Sequence, residues 1–281
     1  MLRYDDNGNF IRSEVAAGTG GLDGANGMAI VGNELLVSSQ NTGSILRFDA
    51  SDGSSLGTFA GGIGGPTQLF DTGSSVLTGS FTGTAIAEYA NDGTSLGDFT
   101  SGGSLDGIAS YVFGTNGDLY VGDFNGGEVE VFDGTTGAFQ SVFATSLGSG
   151  ITGLAFDDSG NLWLSSLFTH EVIQLDSSGS ELTRFSTGGP IPAIDYDGSF
   201  PSDIVINPDG SGELLIGLTG NAGVFRFDTS GNNLGEFTTG DGGALIVPGE
   251  ILQVSAVPEP THAAILAGLL IFGGASRRRK I

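Results

Sequence analysis

An all-β fold, a ring of six four-stranded blades, is what this sequence predicts, and three observations carry the prediction. One short pattern returns at six places, the segments between its turns alternate apolar and polar residues, and no segment ahead of the C-terminal tail has helical periodicity. The pattern reads MLRYDDNGNF from position 1, ILRFDASDGSSLGTF from 45, IAEYANDGTSLGDF from 86, VEVFDGTTGAFQSVF from 129, VIQLDSSGSELTRF from 172 and VFRFDTSGNNLGEF from 224. Successive starts lie 44, 41, 43, 43 and 52 residues apart, the spacing of a propeller blade.

Each copy holds alternating apolar residues, an aromatic residue or Leu, usually an Asp, a Gly-containing turn and a Phe in the next extended run. That is a hairpin signal. Two more apolar runs precede each hairpin, clearest in GLAFDDSGNLWLSS, where Gly153–Phe156 and Leu162–Leu164 flank the turn Asp157–Asn161. Four-stranded units are expected to begin near Gly27, Thr67, Gly107, Gly153 and Asp203. Residues 1–15 supply the last two strands of a further blade and residues 243–254 its first two, so a sixth, split blade closes the ring and leaves no free sheet edge. The propeller then spans 1–255, and 256–281 is a separate tail with a short hydrophobic helix.

Composition narrows the function. The net charge is −23, and four of the nine basic residues sit together at Arg277–Lys280. So acidic a body repels phosphate backbones, which excludes nucleic acid as partner. Cysteine is absent, so there is no disulfide and no compartment signal from redox chemistry. The 51 glycines have no Gly-X-Y period and belong to turns.

The tail explains where the positive charge went. From Thr261 to Ser276 runs a 16-residue, mostly apolar stretch, about 24 Å as a helix. It is short for a membrane span, but Arg277, Arg278 and Arg279 can snorkel to the headgroups and hold the inner end. A plain C-terminal anchor is one reading of this run. Val257, Pro258, Glu259 and Pro260 stand immediately before it. Val-Pro-Glu-Pro, a short hydrophobic helix and an arginine cluster, in that order, resemble the PEP-CTERM sorting signal of bacteria. The resemblance implies export, arrest at the inner membrane, processing by an exosortase-type enzyme, and delivery to the envelope or the extracellular polysaccharide matrix. Export needs an N-terminal signal peptide. The opening residues read as a blade hairpin instead, so a start upstream of Met1 is expected.

The body resembles NHL-type and gluconolactonase-like six-bladed propellers, on second strands such as Asn116–Asp123 (NGDLYVGD) and third strands such as VEVFD at 129. Gluconolactonase-like enzymes hold a divalent metal at the channel mouth with Glu, Asn and Asp. First-strand starts place Asn26, Thr67, Asp106, Thr152 and Asp203 at the channel. Of these Asn26, Asp106 and Asp203 could ligate a cation, but no Glu stands in register with them.

Other candidate chemistry reduces to turns. His170 falls in a hairpin turn, and Ser55 and Ser95 sit in G-x-S-x-G matches that lack the strand–turn–helix context of a nucleophile elbow. Acidic turns at Asp5–Asn7, Asp157–Asp158 and Asp195–Asp197 offer oxygen ligands to calcium, yet hairpins need the same residues. The long 52-residue interval places Asp195, Tyr196 and Asp197 in an extended loop, where Tyr196 could stack on a sugar. The expected function is a non-enzymatic exported scaffold or binding module without a cofactor. The alternative is a metal-dependent lactonase-like hydrolase.

Overall fold

The computed structural model describes residues 1–188, 200–219, 223–242, 245, 248–254 and the backbone of 268–273. They form six four-stranded antiparallel sheets. Blade 6 is assembled from the two ends of the described chain. Its outer hairpin is β1 (Leu2–Tyr4) and β2 (Phe10–Ser13), and its inner strands are β23 (Pro248–Val254) and β24 (Gly268–Gly273), in the order β2-β1-β24-β23.

The other five blades are continuous. Blade 1 is β3 (Ala25–Val31), β4 (Glu34–Ser39), β5 (Ser44–Asp49) and β6 (Ser55–Gly61); blade 2 is β7 (Pro66–Asp71), β8 (Ser75–Ser80), β9 (Ala87–Ala90) and β10 (Ser95–Asp98). Blade 3 is β11 (Ile108–Phe113), β12 (Leu119–Asp123), β13 (Val129–Phe132) and β14 (Phe139–Ala144). Blade 4 is β15 (Ile151–Phe156), β16 (Leu162–Ser166), β17 (Glu171–Leu175) and β18 (Glu181–Ser186). Blade 5 is β19 (Pro201–Ile206), β20 (Leu214–Leu218), β21 (Gly223–Phe227) and β22 (Asn233–Glu236).

Two expectations are corrected here. In place of the two strands expected from 243–254, the described residues 248–254 form the single inner strand β23. The second strand comes from Gly268–Gly273, inside the run expected to be a helix, which pairs Leu2 with Ile271 and Leu252 with Leu270. A continuous apolar run carries no period to separate a buried strand from a helix. The rest of the tail, including Val257, Pro258, Glu259, Pro260, Arg277, Arg278 and Arg279, lies outside the described residues, as do Asp195, Tyr196 and Asp197. No described helix is long and apolar enough to cross a membrane.

The core lies between blades. Because side chains alternate across a strand, β4 sends Leu35 and Val37 into one cluster with Met1, Val15 and Met28, and Leu36 into another with Leu69, Val76 and Tyr89. Second strands are accordingly buried on both faces, throughout β8, β16 and β20. Outer strands face water and leave Leu56, Leu96, Leu182 and Leu234 exposed.

The repeated Asp caps its hairpin. Asp133 Oδ1 accepts the Thr135 and Thr136 N–H groups at 2.9 and 2.7 Å, and these bonds hold its carboxyl below the usual range. The turn glycine is needed for close approach. At Gly53 and Gly137, both at positive φ, a Cβ would strike the carbonyl oxygens of Glu14 and Phe99 on the preceding blade.

Candidate functional site: the channel mouth

Every innermost strand has a register break near its start: Ala25/Met28, Pro66/Leu69, Ile108/Tyr111, Ile151/Gly153, Pro201/Asp203 and Pro248/Ile251. A bulge frees a residue from the ladder and re-aims it. Six such bulges turn Asn26, Gln68, Ser110, Thr152, Ser202 and Glu250, one from each blade, onto a single cavity with Asp203 beside them. The cavity holds about 20 Å³, room for one or two waters. A sugar ring does not fit inside it.

These side chains join blades. Gln68 Oε1 on blade 2 accepts the Tyr111 N–H of blade 3 at 2.7 Å. Asp203 on blade 5 accepts the Ile251 N–H of blade 6 at 2.7 Å and the adjacent Ile204 N–H at 2.8 Å. Glu250 Oε2 on blade 6 accepts the Met28 N–H of blade 1. The Thr152 hydroxyl donates to the Pro201 carbonyl at 2.9 Å. Burial pushes the Asp203 carboxyl up to about 7, against the two backbone N–H groups that favour its anion. Glu250 is raised as well, by burial first and then by the charge of Asp203.

Of the residues expected at the channel, Asn26, Thr152 and Asp203 reach it. Thr67 is fully buried between blades, where its hydroxyl donates to the Ile108 carbonyl at 2.7 Å, and its neighbour Gln68 takes the channel position. Asp106 does not line the cavity; it is exposed in the loop before β11, and its carbonyl accepts the Asn125 N–H. The expectation that no Glu stands in register is also corrected, since Glu250 does. The missed residues had a sequence signal. Pro66-Thr-Gln68, Pro201-Ser-Asp203 and Pro248-Gly-Glu250 repeat one Pro-x-polar start, and each third residue accepts the next blade's N–H.

A metal does not suit this donor set. Asp203 uses both carboxylate oxygens on backbone N–H groups and Glu250 uses one. Among the described residues no group of three or more His, Cys, Asp or Glu residues converges for an ion. Of the acidic turns, Asp157 is committed to Asn161, Gln174 and the Nε1–H of buried Trp163. His170 sits in its turn at φ 57°, with its ring 4.2 Å from that of Phe200. Ser55 and Ser95 begin the outer strands β6 and β10, where their hydroxyls accept the Gly57 and Gly97 N–H groups at 3.3 Å.

A second feature rings the mouth, the end at which the inner strands begin. Phe81, Phe124 and Phe168 follow the second strands of blades 2, 3 and 4, and meet edge to face at 5.0 and 5.5 Å between centroids. Phe168 is 55% exposed. The described Arg residues all lie on strands, at Arg3, Arg12, Arg47, Arg184 and Arg226, so no described Arg or Lys lies in the loops of this face.

No family model matches this chain, and no curated protein matches it. Solved structures share its fold. A gluconolactonase from Xanthomonas campestris is 16% identical at a TM-score of 0.64, over 89% of this chain and 83% of that one. The nidogen/laminin complex gives 19% and 0.60, over 78% and 81%. A catalytically inactive histidine-to-alanine variant of virginiamycin B lyase from Staphylococcus aureus, with quinupristin, gives 15% and 0.58, over 84% and 76%. Two of these three are enzymes, so the expectation of a non-enzymatic chain is corrected: this propeller architecture carries catalysis elsewhere. Identity of this order establishes the propeller and assigns no activity.

Proposed function

We propose that this chain is an exported propeller that binds ligands at its mouth face, as a binding module or scaffold of the cell surface or extracellular polysaccharide matrix. The observation that carries the binding reading is the row Phe81–Phe124–Phe168, three aromatic rings bridging three blades on a face whose loops hold no described Arg or Lys. Exposed aromatic faces stack on sugar rings and on cations, while the acidic body disfavours anionic ligands. The 20 Å³ cavity is too small for such a ligand, which would lie across the mouth instead.

The sorting reading rests on residues 256–281: Val257-Pro258-Glu259-Pro260, the apolar run and Arg277–Lys280. An exosortase-type enzyme is the implied partner. Insertion of this tail in a membrane would withdraw β24 from between β1 and β23.

Two measurements test the two halves. Full-length chain and a chain lacking 257–281, both behind one export leader and beside an exosortase, should fractionate differently, the full-length chain alone being trimmed and moved outward. Identical fractionation sinks the sorting half. For the binding half, Phe124→Ala and Phe168→Ala should each weaken retention on immobilised extracellular polysaccharide; unaltered retention removes the aromatic row from the account.

A further inference from the structure

We propose that Asp203 and Glu250 form a proton-sensitive latch that fastens the closing blade to both of its neighbours. The inference starts from where charge occurs among the joints. Blade 6 meets blade 5 through the Ile251 N–H on Asp203, and blade 1 through the Met28 N–H on Glu250. The same joint between blades 2 and 3 is made by a neutral amide, Gln68 to the Tyr111 N–H. Carboxylates therefore stand at both joints of the one blade that draws its strands from the two ends of the described chain.

The two carboxylates share a cavity whose other polar lining, from Asn26, Gln68, Ser110, Thr152 and Ser202, is neutral. The further titratable group nearby is the Tyr111 phenol, whose O–H donates to the Gln68 carbonyl at 3.2 Å and whose ionisation is opposed by burial and then by Glu250. No Lys, Arg or His lines the cavity. Two anions lining one cavity repel each other, and a proton on either carboxyl relieves the repulsion while leaving oxygens to accept both N–H groups.

Both carboxyls are raised in the folded chain, Asp203 to about 7. The closed latch thus binds a proton that the open state releases near the ordinary carboxylate value of about 4. Its stabilisation is complete below about pH 4 and falls by about tenfold in the closing equilibrium per pH unit above that, and the Asp203 share is gone above about pH 7.

Amide hydrogen exchange on the full chain tests this, read from pH 5 to pH 8 and corrected for intrinsic rates. Met28 and Ile251 report the latch, and Tyr111 is the internal control at a neutral joint. Protection of Met28 and Ile251 should fall relative to Tyr111 by up to tenfold per pH unit, with Ile251 levelling off above about pH 7. Asp203→Asn or Glu250→Gln should flatten that difference. Wild-type Met28 and Ile251 tracking Tyr111 at every pH would overturn the latch without any variant. Persistence of the pH dependence in both folded variants would overturn it equally. Neither outcome bears on ligand binding at the aromatic row.

Discussion

Two kinds of joint make up five of the six in this ring, blade 3 having Ser110 instead, and they differ at one position. Two residues past the start of the inner-strand bulge, blades 1 and 4 have Gly27 and Gly153, whereas blades 2, 5 and 6 have Gln68, Asp203 and Glu250. At the glycine joints backbone packs on backbone: a Cβ on Gly27 would strike the Thr67 carbonyl, and one on Gly153 would crowd the Ile204 N–H. At the Gln68, Asp203 and Glu250 joints a side chain reaches across and accepts a bulge N–H. The bulge leaves a buried donor without its ladder partner, and such a donor must be met or the joint weakens. A single repeated geometry thus admits either close contact or a polar bridge, and a charged bridge brings pH dependence with it.

The contrast can be broken at each joint. Gly27→Val should have the largest effect, about 3 kcal/mol lost in denaturant unfolding, because the Thr67 backbone cannot yield like a flexible side chain. An unchanged midpoint would mean that the glycine joint has slack. Gln68→Leu should lose about 1–3 kcal/mol by stranding the Tyr111 N–H, equally at pH 5 and pH 8, since no titration is involved. Glu250→Gln should act in the opposite sense with pH. Its melting temperature should match wild type at pH 5 and exceed it at pH 8, because burial opposes ionisation of Glu250 in the native protein while the unfolded chain ionises it freely. The smallest effect belongs to the outer wall: Leu96→Ser, 57% exposed on β10, should move stability by no more than about 0.5 kcal/mol.

The repeat made the fold legible because every blade must solve the same packing problem. Apolar alternation and the turn glycine recur wherever the chain turns between third and fourth strands, and the Asp cap in every blade but blade 2, which has Ala90 there. The expected blade starts Thr67 and Gly107 lie one residue from the observed strand starts Pro66 and Ile108. The channel was only half legible. Counting residues from strand starts found Asn26, Thr152 and Asp203, but a bulge shifts register by a residue, and Gln68 was lost to Thr67 for that reason. Glu250 was missed because Pro248-Gly249 reads as a turn between two strands, whereas it opens β23 and forms its bulge. The tail run was misread over 268–273 because apolar residues without a period suit a helix and a doubly covered strand alike.

Closure of the ring by the N-terminal hairpin positions everything at the mouth, and a disulfide trap measures it. Asn9 forms a lone parallel bridge to Thr239 beyond β22, with the Thr239 N–H on the Gly8 carbonyl at 2.8 Å and the Phe10 N–H on the Thr239 carbonyl at 2.9 Å. Bridge partners lie within the Cα separation a disulfide needs. The chain has no cysteine, so Asn9→Cys with Thr239→Cys introduces a single possible pair. The closed ring predicts near-complete cross-linking in air and a mobility shift that reductant reverses. Free thiols at both positions in the folded protein would contradict closure by the split blade.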